Sequence, residues 1–317
     1  MDNNIDLTNK SPFLYDYNLI QKAEKKTFEK IKSFVVMQRA AKACYSFIKK
    51  NFIFKKILVL CGPGNNGGDG VIIATHLLGD KNLVDIYYPM GEPKSEDSKK
   101  AYSLLLNKNC IKQKVNFSNY DLIIDAIFGI GFNKIFNEKI TSLINQINVS
   151  KAQIISIDIP SGVYTDDGKI STTAIKANYT LSLHRYKQGQ WLLPGKKYCG
   201  KNILLDIGLE DLDSESYAKL NLFKFFPQQD SFDHKYSRGS CLIIAGEHLV
   251  GAAKLACLSA SESILRAGAG LCKIFINSFL LSCIIVKTTA SKTKFLDCRS
   301  KNLRIALFSK LLSIPQP

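Results

Sequence analysis

Ile57-Leu58-Val59-Leu60-Cys61-Gly62-Pro63-Gly64-Asn65-Asn66-Gly67-Gly68-Asp69-Gly70 is the stretch that decides the fold. A five-residue apolar run, too short for a helix and partly β-branched, ends on five glycines in nine residues, and helical patterning resumes at Val71–Leu78. Glycines let backbone N–H groups approach a phosphate closely, and a helix start beside them favours negative charge, so the stretch predicts an anion-binding turn between a strand and a helix.

Further short apolar runs follow at Val84–Tyr88, Leu122–Ile127, Ile154–Ile159, Tyr179–Leu183 and Ile203–Ile207, separated by helical stretches. Alternation of this kind predicts an α/β fold with a mostly parallel sheet covered on both faces. Upstream, residues 14–50 carry Leu19, Ile20, Ala23, Phe28, Ile31, Val35, Val36, Ala40, Ala43 and Phe47 at helical spacing among lysines, which predicts one or two amphipathic helices.

In open α/β sheets ligands bind beyond the carboxyl ends of the strands, and three clusters fall there. The first is Gly62–Gly70. The second, Asp125-Ala126-Ile127-Phe128-Gly129-Ile130-Gly131-Phe132, pairs a carboxylate with two glycines. Asp125 can coordinate a cation, accept hydrogen bonds or cap a turn. The third, Asp158-Ile159-Pro160-Ser161-Gly162, buries an aspartate between isoleucines, which is costly unless it is paired or acts on a ligand. Asp158 is therefore the candidate for acid–base work, with an Asx-type structural role as its alternative. Ser161 has no evident activating histidine and reads as a hydroxyl ligand to substrate or cation.

Gly62, Gly64 and Gly67 also satisfy G-x-G-x-x-G, with Asp85 downstream for a ribose contact. Asp85 lies inside an apolar run, however, and that fingerprint leaves Asn65, Asn66 and Asp69 unexplained. No Gly-Lys-Ser/Thr follows, which excludes a nucleotide-hydrolysing P-loop.

Composition narrows the function classes. The net charge of +16 comes mostly from lysine, with no aromatic-basic module, so it reads as a solvated surface that helps collect an anionic dinucleotide and not as a nucleic-acid interface. Nine cysteines without a C-x-x-C pair suit free thiols in a reducing compartment, and four histidines show no metal-ligand spacing. The N-terminus lacks a secretory pattern and no apolar run approaches a membrane span, so a cytoplasmic protein without a membrane contact is expected.

Near Pro227 the pattern pauses. A second unit begins at about His234 with a strand-like Cys241–Ala245, a small-residue helix from Ala252 to Ala267 and a strand-like Leu271–Ile276. All 20 glycines lie between Gly62 and Gly270, and Asp297 is the single acidic residue after Ile276. An α/β unit needs glycine at its turns, so the last residues read as a truncated or frame-shifted domain. The expected domains are residues 1–225 and 226–317.

The motifs at 62–70, 125–132 and 158–162, in this order and spacing, resemble those of the NAD(P)H-hydrate epimerase family, with the similarity running from the N-terminal helix to about Gly208. The resemblance implies a Rossmann-like three-layer α/β/α domain that interconverts the R and S forms of hydrated NADH and NADPH, which carry a hydroxyl at C6 of the nicotinamide ring. It implies that Asn65, Asn66, Gly67, Gly68 and Asp69 bind this substrate together with Gly129, Ile130, Gly131, Phe132, Asn133, Lys134 and Ile135. It further implies that Asp158 contacts the substrate and that Asn66, Asp125 and Ser161 hold one potassium ion per subunit; it also admits a homo-oligomer.

The family's second loop usually reads GTGL and then arginine, where this chain has Gly129-Ile130-Gly131-Phe132-Asn133-Lys134. Lysine keeps the charge but loses bidentate phosphate recognition. The second unit resembles the start of the nucleotide-dependent NAD(P)H-hydrate dehydratase, a ribokinase-like domain, as far as Ile276. The downstream nucleotide motifs have no counterpart in residues 277–317, so dehydratase activity is not expected. A degenerate dinucleotide-binding protein and an NAD-dependent dehydrogenase are the competing readings.

Overall fold

The computed structural model describes residues 12–80, 82–221, 240–245, 250–266, 271–276, 282–289 and 292–297. The chain divides into two compact units, Met1–Leu222 and Phe223–Pro317.

The first unit opens with β1 (Phe13–Tyr15), α1 (Tyr17–Phe28) and α2 (Ser33–Asn51), then continues β2 (Lys56–Cys61), α3 (Asn65–Gly79), β3 (Leu83–Tyr87), α4 (Glu96–Ser103), β4 (Ile111–Lys112), β5 (Leu122–Ala126) and α5 (Glu138–Asn148). It closes with β6 (Gln153–Ile157), β7 (Tyr179–Leu183), β8 (Tyr186–Lys187), β9 (Lys201–Leu205) and β10 (Ala218–Lys219). Seven of these strands form one sheet in the order β4-β3-β2-β5-β6-β7-β9, with every neighbouring pair parallel. Leu58, Val59, Leu60, Ile123, Ile124, Ile155 and Ile157 are fully enclosed, as expected of strands covered on both faces. From β2 the strand order runs outward in both directions, so the switch point lies between β2 and β5, where the glycine stretch and Asp125 end their strands.

The long N-terminal pattern resolves into a short strand and two helices. Asp16 caps α1 by accepting from Leu19 N at 2.7 Å, and α1 buries Leu19, Ile20, Ala23 and Thr27. β1 belongs to a separate three-stranded sheet: it pairs parallel with β8, Tyr15 opposite Lys187, and antiparallel with β10. This pairing sets the direction in which α1 leaves β1.

Two sequence expectations need correction. The glycine stretch is not a loop as far as Gly70, because α3 already starts at Asn65 with Gly64 as its N-cap. Packing overrides the poor helix propensity of glycine here. A Cβ at Gly67 would overlap the Gly62 carbonyl, and one at Gly62 the Ile127 carbonyl. Strand β6 stops at Ile157 and not at Ile159, because Asp158 has a φ of 68°, left-handed backbone that ends the ladder.

The second unit contains β11 (Ser240–Ala245), α6 (Val250–Arg266), β12 (Leu271–Ile276), β13 (Ser282–Thr289) and β14 (Lys292–Asp297). Strands β11 and β12 are parallel, as joined by α6, and β12, β13 and β14 continue antiparallel. None of the helices among the described residues is long and apolar enough to cross a membrane.

Candidate active site

A cavity of about 660 Å³ lies in the first unit at the carboxyl ends of the strands, within the size range of cofactor and small-molecule sites. Pro63, Gly64, Asn65, Asn66 and Asp69 line it from the start of α3, and the segment Phe128–Asn137 lines it from beyond β5. Tyr17, Ile20, Gln21 and Glu24 line it from α1, at the i, i+3, i+4, i+7 spacing of one helical face. Asp158, Leu183 and Lys187 also reach it.

The first cluster divides between contact and packing. Gly64 faces open space, with no heavy atom within 4 Å of where a Cβ would stand, whereas Gly67 and Gly68 are buried in α3. The N–H groups of the first helical turn at Asn65, Asn66 and Gly67 have no partner within α3, which suits an anion. Asp69 is buried with Oδ1 unpartnered, and its carboxyl is held well above the usual range by burial, then by the Asp158 and Glu24 carboxylates.

The second cluster builds the far wall. Phe128, Phe132 and Phe136 stack with ring centroids 4.7–5.6 Å apart, and Tyr164 adds a ring 5.9 Å from Phe132. Hydrogen bonds pin this segment: Thr165 Oγ1 donates to Ile130 O at 2.7 Å, and Phe136 N donates to Ser171 Oγ at 2.7 Å. Gly129, Ile130, Gly131, Phe132, Asn133, Lys134 and Ile135 all line the cavity.

Asp125 is 0% exposed. Ser161 N and Ser156 Oγ donate to its Oδ2 at 2.9 and 2.8 Å, and Ser161 Oγ and Ile127 N donate to its Oδ1 at 2.6 and 3.3 Å. Burial raises this carboxyl and the four hydrogen bonds oppose it. No salt bridge reaches Asp125 among the described residues, and the Asn66 amide, whose Nδ2 is unpartnered, lies against Gly129 just beyond β5. An enclosed carboxylate without a counter-charge among the described residues and a serine hydroxyl supply oxygens that fit a hard monovalent cation; the Asn66 amide would add its Oδ1, since its unpartnered Nδ2 is a donor.

Asp158 is organised differently. Its Oδ1 accepts from Leu183 N at 3.2 Å and from the ammonium of Lys187, which is 1% exposed and also donates to Leu183 O at 2.8 Å. Gln190 Nε2 donates to the Asp158 carbonyl at 2.7 Å, and Gln190 Oε1 accepts from Lys187 N at 3.0 Å. Thus a left-handed backbone, an ion pair and a glutamine clamp aim one carboxylate into the cavity.

Sequence reasoning missed Lys187 and Glu24. Glu24 is half-buried on the cavity face of α1 and has no hydrogen-bond or ion-pair partner among the described residues. Burial first and the Asp158 carboxylate second push it up to about 7, with Lys187 opposing. Asp85 stays out of the site: Tyr120 Oη donates to it at 2.9 Å and Lys112 lies at 3.4 Å.

A parallel doubly wound domain with a cleft at its switch point, mostly apolar and carrying a few carboxylates and amides, defines the class. Within it, residues 33–189 match the family described as YjeF-related protein N-terminus. The NAD(P)H-hydrate epimerase of Oenococcus oeni is 35% identical over 184 residues, covering 56% of this chain and 88% of the relative. The bifunctional NAD(P)H-hydrate repair enzyme of Dictyoglomus turgidum is 34% identical over 255 residues, covering 75% of this chain and 49% of the relative. The crystal structure of the yeast protein ynu0 superposes with a TM-score of 0.52 at 22% identity, over 61% of this chain and 87% of that one, and agrees in fold. The chain belongs to the NAD(P)H-hydrate epimerase family. It spans about half the length of the bifunctional relatives it matches.

Proposed function

We propose that the protein is an isomerase that interconverts the R and S forms of hydrated NADH and NADPH, a metabolite-repair reaction. The observation that carries this reading is the Asp158 carboxylate, fixed by Lys187 and aimed into a cavity whose other wall is a helix start suited to phosphate. Asn65, Asn66 and Gly67 would receive the pyrophosphate on their free N–H groups, and the phenylalanine stack would cover an aromatic ring. Asp158, ion-paired to Lys187, would stand beside C6 and accept a proton from the water that adds there.

Asn66, Asp125 and Ser161 would hold a potassium ion. When bound, it supplies fixed positive charge beside the phosphate-binding turn. The buried free thiols, with no disulfide among the described residues, suit a reducing compartment such as the cytoplasm. We also propose that these 317 residues epimerise without dehydrating, since residues 277–317 carry no counterpart of the dehydratase's nucleotide motifs.

The test is an R/S mixture of hydrated NADH with a separate S-specific dehydratase in excess. Loss of the R form faster than its spontaneous rate is expected on adding the protein. A folded protein that gives no acceleration would move the reading to a dinucleotide-binding module without turnover.

A further inference from the structure

Inversion at C6 needs oxygen to leave from one face of the ring and to return on the other. The departing hydroxyl needs a proton, and the incoming water must lose one. A single base, Asp158, handles only the second event. The cavity holds few other candidates for the first. Lys187 is committed to Asp158 and the Leu183 carbonyl. Asp69 lines the cavity from α3, on the turn assigned to the phosphates and away from the C6 position.

We propose that Glu24 is the second catalytic residue of this epimerase, acting as the proton donor opposite Asp158; the inference rests on the epimerase reading above. Glu24 comes from α1, on an element other than the strand ends that carry Asp158. It faces the same cavity, is free of partners and keeps partial contact with solvent. It also lies outside the residues that match the family description, which begin at 33.

In the step, the N1 lone pair forms a C6=N1 iminium as the C6–O bond breaks, and the Glu24 carboxylic acid passes its proton to the departing hydroxyl, which leaves as water. A water on the opposite face then adds to C6, the π electrons return to N1, and Asp158 takes the proton. Reversal of the two roles runs the reaction backwards; between turnovers in one direction Glu24 regains a proton from solvent and Asp158 returns one to it.

The groups around Glu24 set when it holds that proton: burial and the Asp158 carboxylate favour it, the Lys187 ammonium opposes, and the Asp69 carboxyl also lines the cavity. Tyr17 on α1 and Lys134 beyond β5 complete the titratable lining. Since the raised carboxyl is protonated below about pH 7, the donor is present there and is lost as pH rises through that value.

The experiment measures kcat and KM for R-form consumption in the coupled assay from pH 6 to 9, for the full chain and for Glu24→Gln. Glu24→Gln is expected to lower kcat by about 100-fold or more with KM within about threefold, and to abolish the fall in rate on the alkaline side. Glu24→Asp should recover part of kcat. Glu24→Gln activity within about threefold of wild type, or an alkaline limb that survives the substitution, would overturn the assignment to Glu24. If the variant does not fold, the unsubstituted chain decides: a rate that falls above about pH 7 supports the donor, and a flat rate to pH 9 sinks it. Failure of the epimerase reading itself is seen separately, as no acceleration by the folded wild-type chain.

Discussion

Asp125 and Asp158 stand at the ends of neighbouring parallel strands, both buried, and are held in opposite ways. Asp125 accepts four hydrogen bonds from neutral groups and pairs with no cation among the described residues; Asp158 accepts one backbone bond and an ammonium. The first arrangement fixes a carboxylate rigidly and leaves its charge for an external ion. The second supplies the counter-charge from a side chain of the protein itself, Lys187, and leaves one oxygen free to work. Burial of an aspartate therefore does not by itself identify a catalytic base; the partner that neutralises it does.

The largest effect expected from breaking this contrast is on rate. Asp158→Asn keeps shape and most hydrogen bonds, so epimerisation should fall by about 10²–10⁴-fold while the melting profile changes little. R-form consumption by a correctly folded variant at the wild-type rate would remove Asp158 from the chemistry. Lys187→Met next makes Asp158 resemble Asp125 without its serines. An uncompensated buried charge should cost about 3 kcal/mol of stability, read from urea unfolding, and activity should drop with it. An unchanged midpoint would mean that the ion pair contributes nothing to holding the carboxylate.

The smallest effect is expected at Asp125. In Asp125→Asn the Ser156 hydroxyl or the Ser161 N–H would meet an amide NH₂, costing about 1–3 kcal/mol. Thermal midpoints of the wild type should rise by a few degrees when potassium replaces a bulky organic cation, and those of the variant should not. A wild-type midpoint indifferent to the cation would leave Asp125 as a purely structural acceptor.

The sequence made the α/β architecture and the strand-end clusters legible because apolar runs and glycine stretches are short-range signals. Tyr179–Leu183 and Leu271–Ile276 coincide with strands to the residue. The start of α3 was hidden because five glycines argue for a loop, and only the contacts of Gly67 with Gly62 and of Gly70 with Ala126 and Cys61 explain a helix there. Glu24 sits among lysines in a chain with a charge of +16, and Lys187 in a two-residue strand, so both look like surface. The spacing of Tyr17, Ile20, Gln21 and Glu24 was available as a second face of α1, but nothing short of the β1–β8 pairing says what that face meets.

The same pairing orders events in synthesis. Tyr15 accepts from Leu212 N across 197 positions, and among the described residues β1 pairs with β8 and β10. The segment that carries Glu24 is among the first of this unit to leave the ribosome, yet it has no sheet to join until its last strands emerge. Long-range closures of this kind are late and slow. The acid–base apparatus would therefore be completed last, by a chain end returning to a sheet that is already standing.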